Sequence, residues 1–265
     1  MTQGTIQGTS QGLTEGSESL PVALVTGGAG GIGACICEGL AQAGFRVVVG
    51  YNRSSGEARK LAAALPGSGH VALAAPVTDS AGLKTMADEI QRRFGRCDVL
   101  VNCAGTTRFV QHSDLDGLDD ALIDQILDTN VRGPFAALRA LKPLLEQSPL
   151  EGGGVVINIS STAATLAVGS NIMYCASKAA LDNMTKALAR ALAPKIRVLS
   201  VSPGLVDTDF VKSLDQSWRD EQAARTPLRR LAHPQEVGRA VAVAVTQLTF
   251  STGSVVLVDG GRLLS

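Results

Sequence analysis

The sequence of 265 residues predicts an α/β domain, a doubly wound parallel sheet of about seven strands with helices on both faces. From residue 21 onward, short runs rich in β-branched residues alternate with Ala- and Leu-rich stretches of helical length. The strand-like runs are continuously apolar, which is typical of strands covered on both faces. No linker or change in composition interrupts this alternation. We therefore predict one domain over residues 21–265.

The predicted elements follow each other in the strict order that produces parallel pairing through right-handed crossovers. The predicted strands are residues 22–26, 46–50, 70–74, 98–102, 155–160, 197–201 and 255–258. The predicted helices are residues 32–43, 57–65, 80–94, 118–146, 174–193 and 235–247. Irregular sequence is concentrated in residues 105–117 and 204–234, which both leave the carboxyl edge of the sheet, where such sheets bind ligands. The second segment is long for a compact domain, and loops of this length are usually functional lids or disordered.

Composition and charge exclude several classes of function. The 24 Lys and Arg residues balance 24 Asp and Glu residues, so the electrostatic signature of a nucleic-acid binder or of a polybasic membrane protein is missing. The five cysteines form neither a C-x-x-C pair nor a cluster with histidine, which predicts a reduced, cytoplasmic protein without a metal site. No apolar run approaches the length that spans a bilayer. Residues 1–20 are poor in aliphatic side chains and are predicted to be a disordered leader.

A glycine-rich turn between the first strand and the first helix is the strongest local signal. It contains Thr26, Gly27, Gly31, Ile32 and Gly33. Its glycines allow a tight turn, close approach of a ligand to the backbone, and close packing of helix on strand. The helix that follows offers unpaired N–H groups and a positive dipole end to a pyrophosphate. A tight turn needs glycine in any case, but the strand–turn–helix context favours a phosphate-binding loop.

Three further segments follow this turn in order along the chain. They are Asn102-Cys103-Ala104-Gly105 at the end of the fourth strand, Ser161 at the end of the fifth, and Tyr174 with Lys178 at the start of a long helix. Together with Pro203-Gly204, the ordered set resembles the classical short-chain dehydrogenase/reductase family, in particular 3-oxoacyl-acyl-carrier-protein reductases, over residues 21–261. The resemblance implies a Rossmann-type fold and an NAD(P)-dependent oxidoreductase that interconverts a ketone and a secondary alcohol.

The catalytic chemistry can also be argued from spacing. Tyr174 and Lys178 stand four residues apart, on one helix face. An ammonium group, together with the positive nicotinamide of the oxidised cofactor, should lower the tyrosine pKa from its usual value near 10, so that the phenol exchanges protons near neutral pH. Ser161 is placed to hydrogen-bond the substrate carbonyl. The resemblance implies that Lys178 also binds the nicotinamide ribose and that Asn130 completes a proton relay. A packed aromatic, a surface lysine and capping Ser and Asn side chains are the alternative interpretations.

The resemblance assigns further cofactor contacts. It implies that Asn102, Ala104 and Gly105 lie along the adenosine half of the cofactor. It also implies that Pro203, Gly204 and Thr208 contact the nicotinamide amide and the phosphates. At Pro76-Val77 the sequence departs from the Asp-Val pair that the family often carries. We keep Val77 among the cofactor contacts and expect backbone groups, Thr78 or Asp79 to hold the adenine. Asp98 is interpreted as a structural hydrogen-bonding residue.

The residues after the second strand predict the preferred cofactor. A free ribose 2′-hydroxyl is usually bound by an acidic residue about 20 positions beyond the glycine turn. This chain has Tyr51, Asn52, Arg53 and Ser54 there, and no acidic side chain before Glu57. Arg53, with Asn52 and Ser54, supplies donors for a 2′-phosphate. We predict that NADP(H) is preferred and that NAD(H) is possible. The competing interpretation is a helix capping box formed by Ser54 and Glu57, with Arg53 solvated.

The expected partners are a small-molecule ketone or alcohol and, from the family, further copies of the chain in a homotetramer. Nucleic acid and membranes are not expected. A nucleotide-sensing, non-catalytic NAD(P)-binding regulator and a pure scaffold remain as alternatives, although the complete Ser/Tyr/Lys set argues for an enzyme. Large apolar residues that suggest a substrate pocket, or equally a core, are Phe109, Leu166, Met173, Phe210 and Trp218.

Overall fold

A computed structural model describes residues 20–264, apart from the side chain of Phe210. The predicted leader therefore lies, up to residue 19, outside the described residues. Seven strands pair in parallel in the order β3-β2-β1-β4-β5-β6-β7. They are β1 Val22–Thr26, β2 Arg46–Tyr51, β3 Val71–Ala74, β4 Val99–Asn102, β5 Gly154–Ile159, β6 Ile196–Pro203 and β7 Val255–Val258. The predicted doubly wound sheet is confirmed.

Helices cover both faces of this sheet. They are α1 Gly31–Gln42, α2 Ser55–Ala64, α3 Ser80–Phe94, α4 Asp120–Leu127, α5 Gly133–Leu145, α6 Ala163–Leu166, α7 Ile172–Leu192, α8 Asp209–Lys212, α9 Gln216–Ala224 and α10 Pro234–Thr246. One core packs α1, α2 and α10 on the sheet, and the other packs α3, α5 and α7 on the opposite face. β1, β4, β5 and β6 are buried along their whole length, which explains their unbroken apolar sequence. Within the described residues, no helix is both long and apolar enough to cross a membrane.

The single helix predicted over residues 118–146 is wrong, because a π-helical turn, Asp128–Arg132, separates α4 from α5. The N–H of Gly133 donates to the carbonyl oxygen of Asp128, five residues earlier. Pro134 follows and has no N–H to donate to the carbonyl oxygen of Asn130, as a continuous α-helix would require. The interruption places Asn130 at the carboxyl edge of the sheet, and π turns are frequent at functional sites.

The two segments expected to be irregular behave differently. Residues 105–117 contain no helix or strand, as predicted. Residues 204–234 contain α8, α9 and the first residue of α10, and Val206 forms an isolated bridge with Ala232. The expectation of a wholly irregular second segment is therefore wrong. This segment crosses the carboxyl edge of the sheet.

Close contact between α1 and α10 fixes the helix that begins at the glycine turn. Gly39 of α1 faces Gly238 of α10, and a Cβ at Gly238 would lie 2.7 Å from the carbonyl carbon of Cys35. Only glycine permits this approach of two helix backbones.

We expect Gly238→Ala to lower the free energy of unfolding by about 3 kcal/mol, because the added methyl group meets backbone that cannot move aside. The matched control is Gly56→Ala in α2, where an added Cβ meets nothing within 4 Å. That change should be neutral or stabilise the protein by less than about 1 kcal/mol. Urea unfolding measures both values, and equal stability of the two variants would contradict the packing argument.

Candidate active site

One large cavity opens at the carboxyl edge of the sheet, where the loops after β1, β2, β4, β5 and β6 meet. Its volume is about 2050 Å³. Pockets for a single drug-sized ligand usually have roughly 300–1,000 Å³, so this cavity has room for a dinucleotide and a second molecule. The predicted site residues in its lining are Gly27, Gly31, Ile32, Gly33, Tyr51, Asn52, Arg53, Ser54, Val77, Ala104, Gly105, Ser161, Tyr174, Lys178, Pro203, Gly204 and Thr208.

The glycine turn forms one wall of the cavity. Gly27 has a φ of +65°, and a Cβ at Gly33 would lie 3.0 Å from the carbonyl carbon of Gly27, so neither position accepts a larger residue without strain. Thr26 does not line the cavity. Its hydroxyl accepts hydrogen bonds from the N–H groups of Cys103 (3.1 Å) and Ala104 (3.2 Å), and so ties the turn to the end of β4. The first residues of α1, Gly31, Ile32 and Gly33, line the cavity.

The segment after β2 lines the same wall. Arg53 is exposed and, in the part of the chain that the structure describes, its side chain makes no hydrogen bond or ion pair. Ser54 precedes α2 without capping it through its side chain. The alternative of a Ser54–Glu57 capping box is therefore wrong. The Arg53 guanidinium remains available to a ligand.

Asn102 departs from its expected role as a cofactor contact. Its side-chain amide donates to Oδ1 of Asn158 (2.9 Å), whose own amide donates to Oγ1 of Thr185 (2.8 Å). Because Asn102 and Asn158 are register partners on adjacent strands, their side chains share one face of the sheet. This face lies against α7 rather than in the cavity.

On the adenosine side, the structure separates the two residues proposed to hold the adenine. Thr78 lines the cavity beside Val77. Asp79 instead caps α3, where its Oδ1 accepts the N–H of Ala81 (2.9 Å). Asp98 has the expected structural role: its buried carboxylate accepts the N–H of Val22 and the guanidinium of Arg96 at 2.8 Å each.

Asn130 is buried in the π turn and does not line the cavity surface. Its Oδ1 accepts the N–H of Thr106 (2.9 Å), and its Nδ2 donates to the carbonyl oxygen of Thr106 (3.0 Å) and to Oγ of Ser177 (3.1 Å). Both backbone groups of Thr106 are thus held by one side chain. A Cβ at Gly105 would lie 3.5 Å from Asn130 Oδ1 and 3.8 Å from Lys178 Nζ. Gly105 is therefore adjacent to both of these polar groups.

Tyr174, Lys178 and Ser161 meet where α7 passes the end of β5. The Lys178 ammonium donates to the carbonyl oxygen of Ile159 (2.7 Å) and lies 5.7 Å from the centre of the Tyr174 ring. The Ser161 side chain interacts with the Tyr174 side chain, which opposes the rise of the Tyr174 pKa, and its Oγ accepts the N–H of Ala163 (3.2 Å). Two hydroxyl groups and an ammonium group therefore converge on one part of the cavity.

Burial dominates the proton affinities of this group. Burial lowers the pKa of Lys178 to about 8, against opposing effects of Cys103 and Asp182. Burial also raises the pKa of Tyr174, and the hydrogen bond from Ser161 only partly offsets this. The expected lowering of the tyrosine pKa is thus not found in the chain alone, because the loss of water around the phenol outweighs the polar contacts. The sequence analysis expected the lower tyrosine pKa from the Lys178 ammonium together with the positive charge of a bound oxidised nicotinamide.

A fully buried asparagine that the sequence analysis did not single out positions the helix of the tyrosine. Oδ1 of Asn171 accepts the N–H of Tyr174 (2.7 Å) at the start of α7. Its Nδ2 donates to Oγ1 of Thr107 (3.1 Å) and to the carbonyl oxygen of Arg108 (2.7 Å). The signal was present, since Asn three residues before a helical Tyr is an N-cap pattern. Asn171 and Asn130 together hold the loop of residues 105–117 against α7.

The apolar residues proposed for a substrate pocket divide into two groups. Phe109, Leu166 and Trp218 line the cavity. Met173 instead packs with the small core of Val110, Leu122 and Ile126. The side chain of Phe210 lies outside the described residues.

Comparisons with known proteins agree with this geometry. A family model described as Enoyl-(Acyl carrier protein) reductase matches residues 27–262. A Streptomyces violaceoruber protein named as ketoacyl reductase 2 of the granaticin polyketide synthase is 40% identical over 246 residues, 92% of this chain and 96% of that protein. The acetoacetyl-CoA reductase of Cupriavidus necator is 35% identical, over 91% of this chain and 97% of its own length.

Solved structures resemble the whole domain. A Burkholderia xenovorans protein named as a short-chain dehydrogenase/reductase superposes with a TM-score of 0.85 at 33% identity, covering 94% of this chain and 100% of that one. This chain belongs to the short-chain dehydrogenase/reductase family. A gluconate 5-dehydrogenase from Burkholderia cenocepacia, solved with NADP and tartrate, has a TM-score of 0.82 at 28% identity, over 92% of this chain and 96% of its own. The protein is an NAD(P)-dependent oxidoreductase that interconverts ketones and secondary alcohols.

As a short-chain dehydrogenase/reductase, the chain requires a nicotinamide dinucleotide, and the cavity suits one. Gly27 and Gly33 allow the turn to pack tightly against Ala104 and against itself, and the N-terminus of α1 lines the cavity, where it can bind a pyrophosphate. Arg53, whose side chain is exposed, and Lys178 both line the cavity. Both cationic side chains match the anionic and hydroxyl groups of such a molecule.

We expect the burial of Lys178 to appear as a pH dependence of stability. Its pKa falls from 10.5 in the unfolded chain to about 8 in the folded protein, so the unfolded chain binds more protons between these values. The free energy of unfolding contributed by this residue therefore rises with pH across that window. Relative to Lys178→Met, the rise should be about 3 kcal/mol by urea unfolding. Lys186→Met, at an exposed lysine of α7, is the control and should keep the wild-type profile. If the difference in the free energy of unfolding between the wild type and Lys178→Met did not change with pH, the lowered pKa of Lys178 would be refuted.

Proposed function

We propose that the protein is an NADP(H)-preferring reductase of ketones in which Tyr174 transfers the proton and Ser161, Lys178 and Asn130 assist it. The observation that carries the proposal is the meeting of the Ser161 and Tyr174 hydroxyls beside the buried Lys178 ammonium. Two hydroxyl donors directed at one point suit a carbonyl oxygen, which accepts two hydrogen bonds. A regulator that only senses nucleotide would have no use for this arrangement.

The roles of the side chains follow from their chemistry. When bound, a reduced nicotinamide would supply the hydride that the carbonyl carbon receives. During reduction, Tyr174 donates its proton to the carbonyl oxygen, and the Ser161 hydroxyl donates a hydrogen bond to the same oxygen. The positive charge of Lys178 stabilises the phenolate that Tyr174 becomes. Asn130 holds the backbone of Thr106, and the resemblance to the family implies that it assists the return of a proton to the tyrosine.

Relatives named as ketoacyl reductase, acetoacetyl-CoA reductase and 3-oxoacyl-acyl-carrier-protein reductase support 3-oxoacyl thioesters as the first substrates to test. All three names share a keto group on an acyl chain, and the second and third names place it at the third carbon. The five cysteines, all within the described residues, are free, which supports a reducing compartment such as the cytoplasm.

We expect Tyr174→Phe to keep the fold and cofactor affinity but to lose about 10²–10⁴-fold in kcat, because only the proton-transferring oxygen is removed. Consumption of NADPH in the presence of acetoacetyl-CoA measures turnover. Thermal unfolding and NADPH fluorescence provide the control for fold and cofactor binding. Activity near the wild-type level would remove Tyr174 from the mechanism.

The preference for NADP(H) rests on Arg53. We expect Arg53→Ala to lower kcat/KM for NADPH by about 10- to 100-fold, the value of a charge-assisted hydrogen bond, and to change kcat/KM for NADH less than about threefold. Arg59→Ala, at an exposed arginine of α2, is the matched control and should change neither value. Equal losses with both cofactors, or a wild-type preference for NADH, would overturn the assignment.

We also propose a homotetramer. Phe135 on α5 is exposed in the single chain, which supports helix pairing between copies. Multi-angle light scattering at micromolar concentration should give about four times the mass of the chain, and a stable monomer would contradict this.

A further inference from the structure

The mouth of the cavity carries an unusual concentration of exposed apolar side chains. Phe109 and Val168 are each 68% exposed, Leu214 is 38% exposed and Trp218 is 37% exposed. All four line the cavity, although they come from three separate segments of the chain. Single exposed apolar residues need no explanation, but several around one cavity mark a binding surface.

The apolar lining of the cavity continues toward Ser161 and Tyr174. Leu166, Leu205, Val206 and Val211 also line the cavity. Leu166 belongs to α6, which directly follows Ser161, and the N–H of Ala163 in this helix binds the Ser161 hydroxyl. The apolar wall therefore extends from the mouth to the residues that receive the carbonyl group.

Several polar side chains at this end of the cavity are already engaged with each other. Oγ1 of Thr107 lies 2.5 Å from Oγ of Ser170, and Asn171 donates to the same Thr107 hydroxyl. Oε1 of Gln222 accepts a hydrogen bond from Arg262 (3.0 Å), and the Asp215 carboxylate caps α9. A polyol gains little from side chains whose donors and acceptors are already paired, and it buries less apolar surface than a hydrocarbon body does.

We propose that these residues form a subsite for the carbon skeleton of the substrate, and that the preferred substrates are ketones with an extended or cyclic hydrocarbon body rather than keto-sugars. This inference rests on the proposed function and adds the class of substrate to it. The apolar subsite is defined by Phe109, Leu166, Val168, Leu214 and Trp218. When the hydrocarbon part of a substrate binds against these side chains, its apolar surface is removed from water. This favourable transfer is the source of the selectivity for hydrocarbon-rich ketones.

Steady-state kinetics with 2-butanone, 2-hexanone and 2-octanone test the subsite, with a keto-tetrose as the polar comparison. Each buried methylene is worth about a fourfold increase in affinity, so kcat/KM should rise roughly 15-fold per step of two methylenes. Phe109→Ala and Trp218→Ala should flatten this dependence. Phe250→Ala, at a fully exposed residue outside the cavity lining, should preserve it. A dependence that is flat in the wild type, or a preference for the keto-tetrose, would overturn the proposal.

A binding measurement separates failure of the subsite from failure of the proposed reaction. Trp218 is the single tryptophan of the chain, so intrinsic fluorescence reports on the cavity mouth. Titration with the same ketones should shift its emission to shorter wavelength, with a Kd that falls about 15-fold per step. If no ketone is reduced but this trend appears, the proposed function fails and the subsite stands. A Kd that does not change with chain length refutes the subsite even if ketones are reduced.

Discussion

The hydrogen bond from the Lys178 ammonium to the carbonyl oxygen of Ile159 is the contact on which the site depends. An ammonium group that is largely removed from water must be compensated by strong acceptors or lose its proton. Here the acceptor is the last residue of β5, two positions before Ser161. The need to satisfy one buried charge therefore fixes α7 against the strand end, and this sets the positions of Tyr174 and Ser161 together.

The surrounding polar groups share a second constraint, which is that the loop after β4 must be held without secondary structure of its own. Asn130 in the π turn and Asn171 at the start of α7 both hydrogen-bond the backbone of this loop. The Asn102 amide donates to Asn158, and the Asn158 amide donates to Thr185, so a buried hydrogen-bonded chain joins two strand ends to α7. Buried amides with several partners resist displacement better than exposed ones. The loop can therefore present side chains to a substrate from a rigid base.

Sequence patterns predicted the strands well because burial on both faces leaves an unmistakable apolar run, as in β4 and β5. The motifs also located the groups that meet at the cavity. Direction was harder to predict: Asn102 belongs to a recognisable motif, yet strand alternation turns its side chain toward Asn158. Spacing placed Lys178 near Tyr174 but could not show how far burial would raise the tyrosine pKa. The break before α5 had a signal in Gly133-Pro134, but periodicity continues through a π turn and concealed it.

The π turn also limits how this chain can vary in length. A π turn takes up one more residue than an α turn, so loss of one residue from Asp128–Arg132 would remove the geometry that joins α4 to α5. A regular α-helix in its place would lack a hydrogen bond, because Pro134 has no N–H to donate. Asn130 would lose the wide turn that holds its side chain against Thr106. Deletion of a single codon in this stretch is thus a different event from deletion in an ordinary loop, and substitutions are the gradual changes that it permits.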